Sequence, residues 1–381
     1  MKRAILVLAV AACASAGWFF VPGGYWSFQD GGVGFLYVQG EYPKVGWTAD
    51  GRYSLGGDYW LDTELKTRFI GEETGLRFSY SRDSLKNNWR QPLGDTTTVG
   101  GVVATEYSAY IRQHFDVGKA NKFSIYAGYN RGDYESPCSF DMSEGRFDTT
   151  AEALFADAVD VGMEYSIDSR DDPENPQTAY YFGMRLGGLY FPGADKSNFD
   201  YLDASQLTDP DSKWPPKGTG YLELDQRFFG KLNMKEVPFP MILALRIGGG
   251  HHLSEVPQLV AFKAGEDDFL RGIDKRHLFG TSYYIMSGEL RMQVWEESWT
   301  PWVLLQWIIP GYENPRPIME IVPFMEFAKL FSDYVRDDSQ QMTIGLGLHW
   351  VFSDYTIVRY DVGYWPKGKT WGAYFSFEPS I

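Results

Sequence analysis

The feature that most constrains this chain is a period-two alternation, repeated in many short runs, in which one face carries no charge. In 58–69, Tyr59, Leu61, Thr63, Leu65, Thr67 and Phe69 share one face, while Asp58, Asp62, Glu64, Lys66 and Arg68 lie on the other. In 281–294, Tyr284, Met286, Leu290, Met292 and Val294 oppose Tyr283, Ser287, Glu289, Arg291 and Gln293. In 341–350, Met342, Ile344, Leu346, Leu348 and Trp350 oppose Gln341, Thr343, Gly345, Gly347 and His349. Successive strand residues point to opposite sides, so each run has one apolar and one polar face. Runs of about ten residues match the length a tilted strand needs to cross the hydrocarbon layer. The expected fold is all-β, a transmembrane antiparallel β-barrel. A β-sandwich also alternates, but the strand length, the Tyr, Trp and Phe at strand ends and the amino-terminal signal argue for the barrel.

The pattern predicts strands at 33–40, 45–56, 58–70, 73–82, 105–116, 121–131, 145–154, 157–168, 179–191, 219–229, 241–251, 281–296, 317–330, 340–353, 354–365 and 369–378. That is sixteen strands, or fourteen if the second and seventh are discounted. Residues 33–381 would form the barrel, and 17–32 a short periplasmic segment before it. The intervals 83–104, 192–218 and 252–280 would be extracellular loops, and 297–316, with Trp299, Trp302 and Trp307, would fall on the periplasmic side.

Lys2 and Arg3 precede an apolar run from Ala4 to Ala12, and Ala14-Ser15-Ala16 offers a small-x-small cleavage pattern, so 1–16 reads as a signal peptide. Val10-Ala11-Ala12-Cys13 is an alternative lipidation box. No later stretch is long enough for a membrane helix. Once the signal is removed Cys138 is the sole cysteine, which excludes an internal disulfide. The formal net charge is −15, or −15 − 2 = −17 without Lys2 and Arg3, which disfavours nucleic acid as a partner.

Ala264-Gly265, Leu270-Arg271-Gly272-Ile273, Gly280 and Glu289-Leu290-Arg291 together resemble the signature of the outer membrane protein 85 superfamily, the bacterial surface antigen family. Asp168-Ser169-Arg170-Asp171 with Pro176 is similar to that family's turn before a middle strand. Phe324-Met325-Glu326-Phe327-Ala328 resembles its Phe-x-Asp-x-Gly strand, and Arg359-Tyr360-Asp361 its penultimate strand. The resemblance covers 157–378. Ile273 stands where the family carries an aromatic, Glu326 and Ala328 where it carries Asp and Gly, and Ala179 where it carries Gly. The resemblance implies an outer-membrane barrel of a Gram-negative bacterium that assembles or translocates polypeptides. It implies unfolded polypeptide clients, surrounding outer-membrane lipid and a long loop folded back into the lumen. This chain looks like a barrel-only member without periplasmic polypeptide-transport-associated domains, so a periplasmic or membrane partner would supply client binding.

In the family the loop arginine meets a carboxylate on the wall. Glu326 shares a strand face with Glu320, opposite Ile321, Met325 and Phe327, so it is expected to point inward, where a guanidinium can bind it bidentately. Arg271, Gly272 and Glu326 are therefore the expected loop lock, with Gly272 allowing a sharp turn. Glu289 with Arg291, and Arg359 with Asp361, form either a luminal ion network or a merely solvated polar interior. Gly372, Phe375 and Phe377 resemble a carboxy-terminal assembly signal, and equally describe a lipid-facing last strand. No nucleophile–base motif, metal constellation or cofactor fingerprint is present, so no enzymatic activity, metal or cofactor is expected. Besides assembly through a seam between the first and last strands, a passive channel and a loop-based adhesin or enzyme remain as functional classes.

Overall fold

The computed structural model describes residues 18–27, 31–42, 45–54, 58–67, 73–85, 102–135, 139–141, 146–148, 154–170, 178–192, 217–232, 237, 239–254, 256, 260–264, 270–271, 278–296, 318–331, 340–351 and 356–379. The strands are β1 (Trp18–Ser27), β2 (Gly31–Tyr42), β3 (Val45–Ser54), β4 (Tyr59–Thr67), β5 (Glu73–Leu85), β6 (Val102–Asp116), β7 (Asn121–Glu135), β8 (Ser139–Asp141), β9 (Arg146–Asp148) and β10 (Leu154–Asp168). They continue as β11 (Ala179–Tyr190), β12 (Gly218–Leu232), β13 (Met241–His252), β14 (Phe262–Ala264), β15 (Leu278–Gly280), β16 (Ser282–Glu296), β17 (Ile318–Phe331), β18 (Gln341–Val351), β19 (Thr356–Trp365) and β20 (Thr370–Pro379). Sixteen of them make one antiparallel sheet in chain order, from which only β8–β9 and β14–β15 are excluded as separate hairpins. No helix among the described residues is long and apolar enough to cross a membrane.

The sheet is a β-barrel wall with the apolar face outward. Leu61, Phe78, Ile111, Ile125, Val161, Leu186, Ile247, Met286, Met325 and Leu346 are all exposed, and the ladder registers put neighbouring members of this set on one side. A continuous exposed apolar band of this kind is what lipid contact requires. The opposite face carries the charges, and the buried residues sit there: Asp160, Arg271, Arg291, Glu320, Glu326 and Asp361. The Cα atoms of β1 and β20 come within 8 Å of each other, yet no ladder joins the two among the described residues.

Two expectations are corrected. Residues 18–27 are not part of a periplasmic segment before the barrel, because they form β1, paired along its whole length with β2. Pro22 and Gly23-Gly24 interrupt the alternation there, but an edge strand tolerates a missing donor. The described residues of the predicted strand at 145–154 do not form one wall strand: 146–148 pair in the β8–β9 hairpin, apart from the sheet, and Leu154 opens β10. The remaining predicted strands overlap wall strands, including 45–56, which is β3.

Because the strands alternate in direction, the chain leaves the wall from one end after β5, β7, β11 and β13. The intervals expected to be extracellular share that end. The 297–316 interval, which lies outside the described residues, leaves from the opposite end.

Candidate functional site

Between β13 and β16 the chain turns into the lumen. β14 and β15 pair with each other, Phe262 opposite Gly280, and tie together the two arms of this excursion. Between the arms lie Leu270 and Arg271, both buried. Leu270 has a φ of 64°, a left-handed conformation that is rare for a branched side chain and costs about 1–3 kcal/mol. Its side chain is fully buried against Ile285, Ala328, Leu330 and Trp365, with Tyr283 packed alongside. Burying a leucine is worth about 1.5–3 kcal/mol, which offsets the strained turn.

The turn aims Arg271 into a cage of carboxylates. Its backbone N–H donates to Glu326 Oε2 at 2.7 Å and its Nε to Glu326 Oε1 at 2.8 Å. One terminal nitrogen donates to Glu289 Oε1 at 2.8 Å and the other to Asp361 Oδ2 at 3.1 Å. Three strands thus supply the three acids: β17 provides Glu326, β16 Glu289 and β19 Asp361. The guanidinium also lies 3.6 Å above the centroid of the Phe324 ring. Gly345 makes room for that ring, since a Cβ there would overlap it.

Each acid has another partner. Thr343 Oγ1 donates to Glu326 Oε2 at 3.1 Å, Arg291 Nε donates to Glu289 Oε2 at 3.2 Å, and His349 Nε2 lies 3.1 Å from Asp361 Oδ1. Burial is deep at both key side chains, 6% exposed for Arg271 and 5% for Glu326. At that depth the Coulomb attraction is screened little, but desolvation of the two charges offsets much of it, so the arrangement shows its strength when one partner is removed and the other is left buried alone.

The structure brings together Arg271, Glu326, Glu289, Arg291 and Asp361. Asp361 joins the network through Arg271 and His349. Arg359 faces the same side of β19, opposite His349. Gly272 lies outside the described residues. Gly372 lies in β20 opposite Gly363, and Phe375 and Phe377 are in the same strand, though their side chains fall outside the described set. Phe324, Thr343, His349 and Leu270 were given no role from the sequence: Leu270 and Phe324 appeared only inside runs that resemble the family's, and Thr343 and His349 only as members of a polar strand face. At the β10–β11 connection, Arg170 Nε donates to Asp168 Oδ1 at 2.8 Å and Ser169 Oγ to the Tyr180 carbonyl at 2.9 Å, a clip that closes the turn. Among the described residues no group of three or more His, Cys, Asp or Glu could hold a metal ion.

Elsewhere the wall charges are wetter. Arg77 donates to Asp62 across β4 and β5 with side chains 57% and 40% exposed. Arg52 with Asp50, and Lys66 with Glu64, are partly exposed pairs on the same side of the lumen.

No family model matches the sequence, and no curated protein does. Solved structures do match in fold. BamA from Haemophilus ducreyi, crystallised without POTRA domains 1–3, superposes with a TM-score of 0.59 at 11% identity, covering 95% of this chain and 70% of that one. CdiB from Escherichia coli gives 0.56 at 9% identity, covering 94% and 61%. CdiB from Acinetobacter baumannii gives 0.54 at 10%, covering 94% and 59%. The chain therefore spans about three fifths of the length of either CdiB. These likenesses establish the transmembrane barrel fold.

Proposed function

We propose that this protein is a non-enzymatic outer-membrane barrel of a Gram-negative bacterium, exported through a cleaved signal peptide, that inserts or translocates polypeptides through a lateral seam between β1 and β20. The observation that carries this reading is the Leu270–Arg271 turn held inside the wall. A pore that merely conducts gains nothing from a strained, charge-caged plug, whereas a barrel that deforms at a seam gains a strut joining β16, β17 and β19. The fold shared with BamA and CdiB supports the same class of activity. Arg271, Gly272 and Glu326 act as the loop lock, and Glu289, Arg291, Arg359 and Asp361 as the network around it. Gly372, Phe375 and Phe377 in β20 serve as the carboxy-terminal recognition strand. The unpaired edges of β1 and β20 offer hydrogen-bonding groups to a client hairpin. A periplasmic or membrane partner takes part in client binding, and no cofactor is used.

A passive channel is the second reading. It is favoured by the exposed Arg77–Asp62 pair, which indicates that water reaches part of the lumen beside the loop.

The deciding experiment compares insertion of an unfolded barrel client into liposomes holding the protein, with and without a disulfide engineered across the β1–β20 boundary. Faster insertion that the disulfide abolishes supports the seam. Steady ion conductance with no acceleration in either form overturns the assembly reading in favour of the channel.

A further inference from the structure

The luminal loop meets the wall at a second place, chemically unlike the carboxylate cage. Val256 and Ala261, both buried, pack with Ala158, Leu189, Phe191 and Tyr221 in an apolar cluster inside the barrel. The next residue, Phe262, stacks on His252 with ring centroids 4.4 Å apart and tilts against Tyr283 at 4.6 Å. Gly250 creates this slot: a Cβ there would sit 2.7 Å from Phe262 Cζ and overlap the Tyr283 ring.

The slot has a rigid back. Tyr221 lies behind His252 at 5.5 Å and donates its hydroxyl to Asp160 Oδ1 at 2.8 Å. Arg185 then ties Asp160, at 3.0 Å, to Tyr126, at 2.9 Å, and its guanidinium lies over the Tyr126 ring. Four neighbouring strands, β7 and β10–β12, supply these groups.

We propose that Phe262 in this aromatic slot is a second latch of the loop, one that opens separately from the Arg271 cage. Leu270 and Arg271 lie between the two arms that the β14–β15 ladder pairs. Loss of the cage frees this tip while the paired arms stay seated against β13 and β16. The base is held by apolar and ring contacts and the tip by the ion cage and the Leu270 cluster, and Tyr283 touches both. The loop thus has a half-released state, tip free and base shut. Phe262 and Gly250 are positioning residues for it.

This inference rests on the reading of Arg271 as a latch, but not on insertion activity. Its test uses two buried alanines: Ala261→Cys reports the base and Ala328→Cys, packed in the Leu270 cluster, reports the tip. Each is built into the full chain with Cys13 and Cys138 changed to serine, reconstituted in liposomes and labelled with a membrane-impermeant maleimide. Arg271→Ala is expected to speed labelling at 328 by about tenfold or more and leave 261 within about twofold. Phe262→Ala is expected to do the reverse, and the double variant to open both. Gly250→Ala, which fills the slot without deleting the ring, repeats the Phe262→Ala result, and where it fails to fold Phe262→Ala carries the test alone. If Arg271→Ala opens both sites together, or Phe262→Ala opens neither, the second latch is wrong. If the Ala328→Cys variant labels freely with Arg271 intact, the first latch fails as well.

Discussion

Replacing Arg271 by alanine removes one guanidinium from among three carboxylates, and the structure fixes how the penalty should compare with that of removing an acid. Without Arg271, Glu326, Glu289 and Asp361 remain on the inward faces of β17, β16 and β19 with only Thr343, Arg291 and His349 as the hydrogen-bond partners described above. Breaking a buried pair by removing one partner costs about 3–5 kcal/mol. Arg271→Ala belongs at the upper end, because three acids lose a cation at once. Glu326→Ala belongs at the lower end: Arg271 keeps Glu289 and Asp361, and the mutual repulsion of the acids falls. The double variant should cost less than the sum of the two by about 1–3 kcal/mol, the range expected for contacting residues. The wall ladders survive both changes, so the loss appears as local opening of the turn. Amide hydrogen exchange of the peptide spanning Leu270 and Arg271 reads that opening directly. For Arg271→Ala, exchange should quicken by about a thousandfold to a few thousandfold. Equal and additive effects of the two single variants, or an Arg271→Ala effect below about 0.5 kcal/mol, would refute the cage as the element that holds the turn.

Other perturbations separate the parts of the structure. Arg77→Ala should lower stability by less than about 1 kcal/mol in urea unfolding, because its pair with Asp62 is exposed to luminal water. Gly345→Ala should push Phe324 from beneath Arg271 and cost about 1–3 kcal/mol by the same unfolding assay, whereas Gly34→Ala, where the nearest atom is 4.0 Å away, should be close to neutral. Ile247→Arg, an outward residue in the middle of β13, should cost about 2–4 kcal/mol of folding free energy in lipid vesicles.

The alternation revealed which face of each strand meets lipid, because lipid selects every second residue without regard to the rest of the fold. It did not reveal partners across the lumen. Arg271 and Asp361 are separated by 90 positions and Arg271 and Glu326 by 55. Period-two reasoning paired Glu289 with Arg291 and Arg359 with Asp361 because those are neighbours on one strand. The first pair is in contact, and Asp361 also bonds to the loop arginine and to His349, partners that no single-strand pattern reaches. Arg271 and Glu326 could be named from the sequence only through the family resemblance and the inward parity of Glu326. The Phe262 slot left no signal, since it needs a glycine on β13 and a phenylalanine in the following loop, neither unusual alone. At 18–27 the sequence misled because Pro22 breaks a pattern whose hydrogen-bond consequence vanishes at a sheet edge.

The proposed seam lies where the ladders cost least to part. Parting any two adjacent strands other than β1 and β20 breaks a paired run, of which the shortest, β18 with β19, still joins eight residue pairs among the described residues. In lipid each broken backbone pair has no water to replace it, so the cost rises with every pair. Across β7 and β10–β12 the Arg185 network adds side-chain bonds to those ladders and stiffens that wall further. The boundary between β1 and β20 breaks no described ladder, and β1 carries Pro22 and two adjacent glycines. In the proposed seam mechanism, strain on the barrel would concentrate there. The Arg271 cage grips β16, β17 and β19, stopping one strand short of that boundary, so it braces the carboxy-terminal side of the wall up to β19 and adds no tie across the proposed seam.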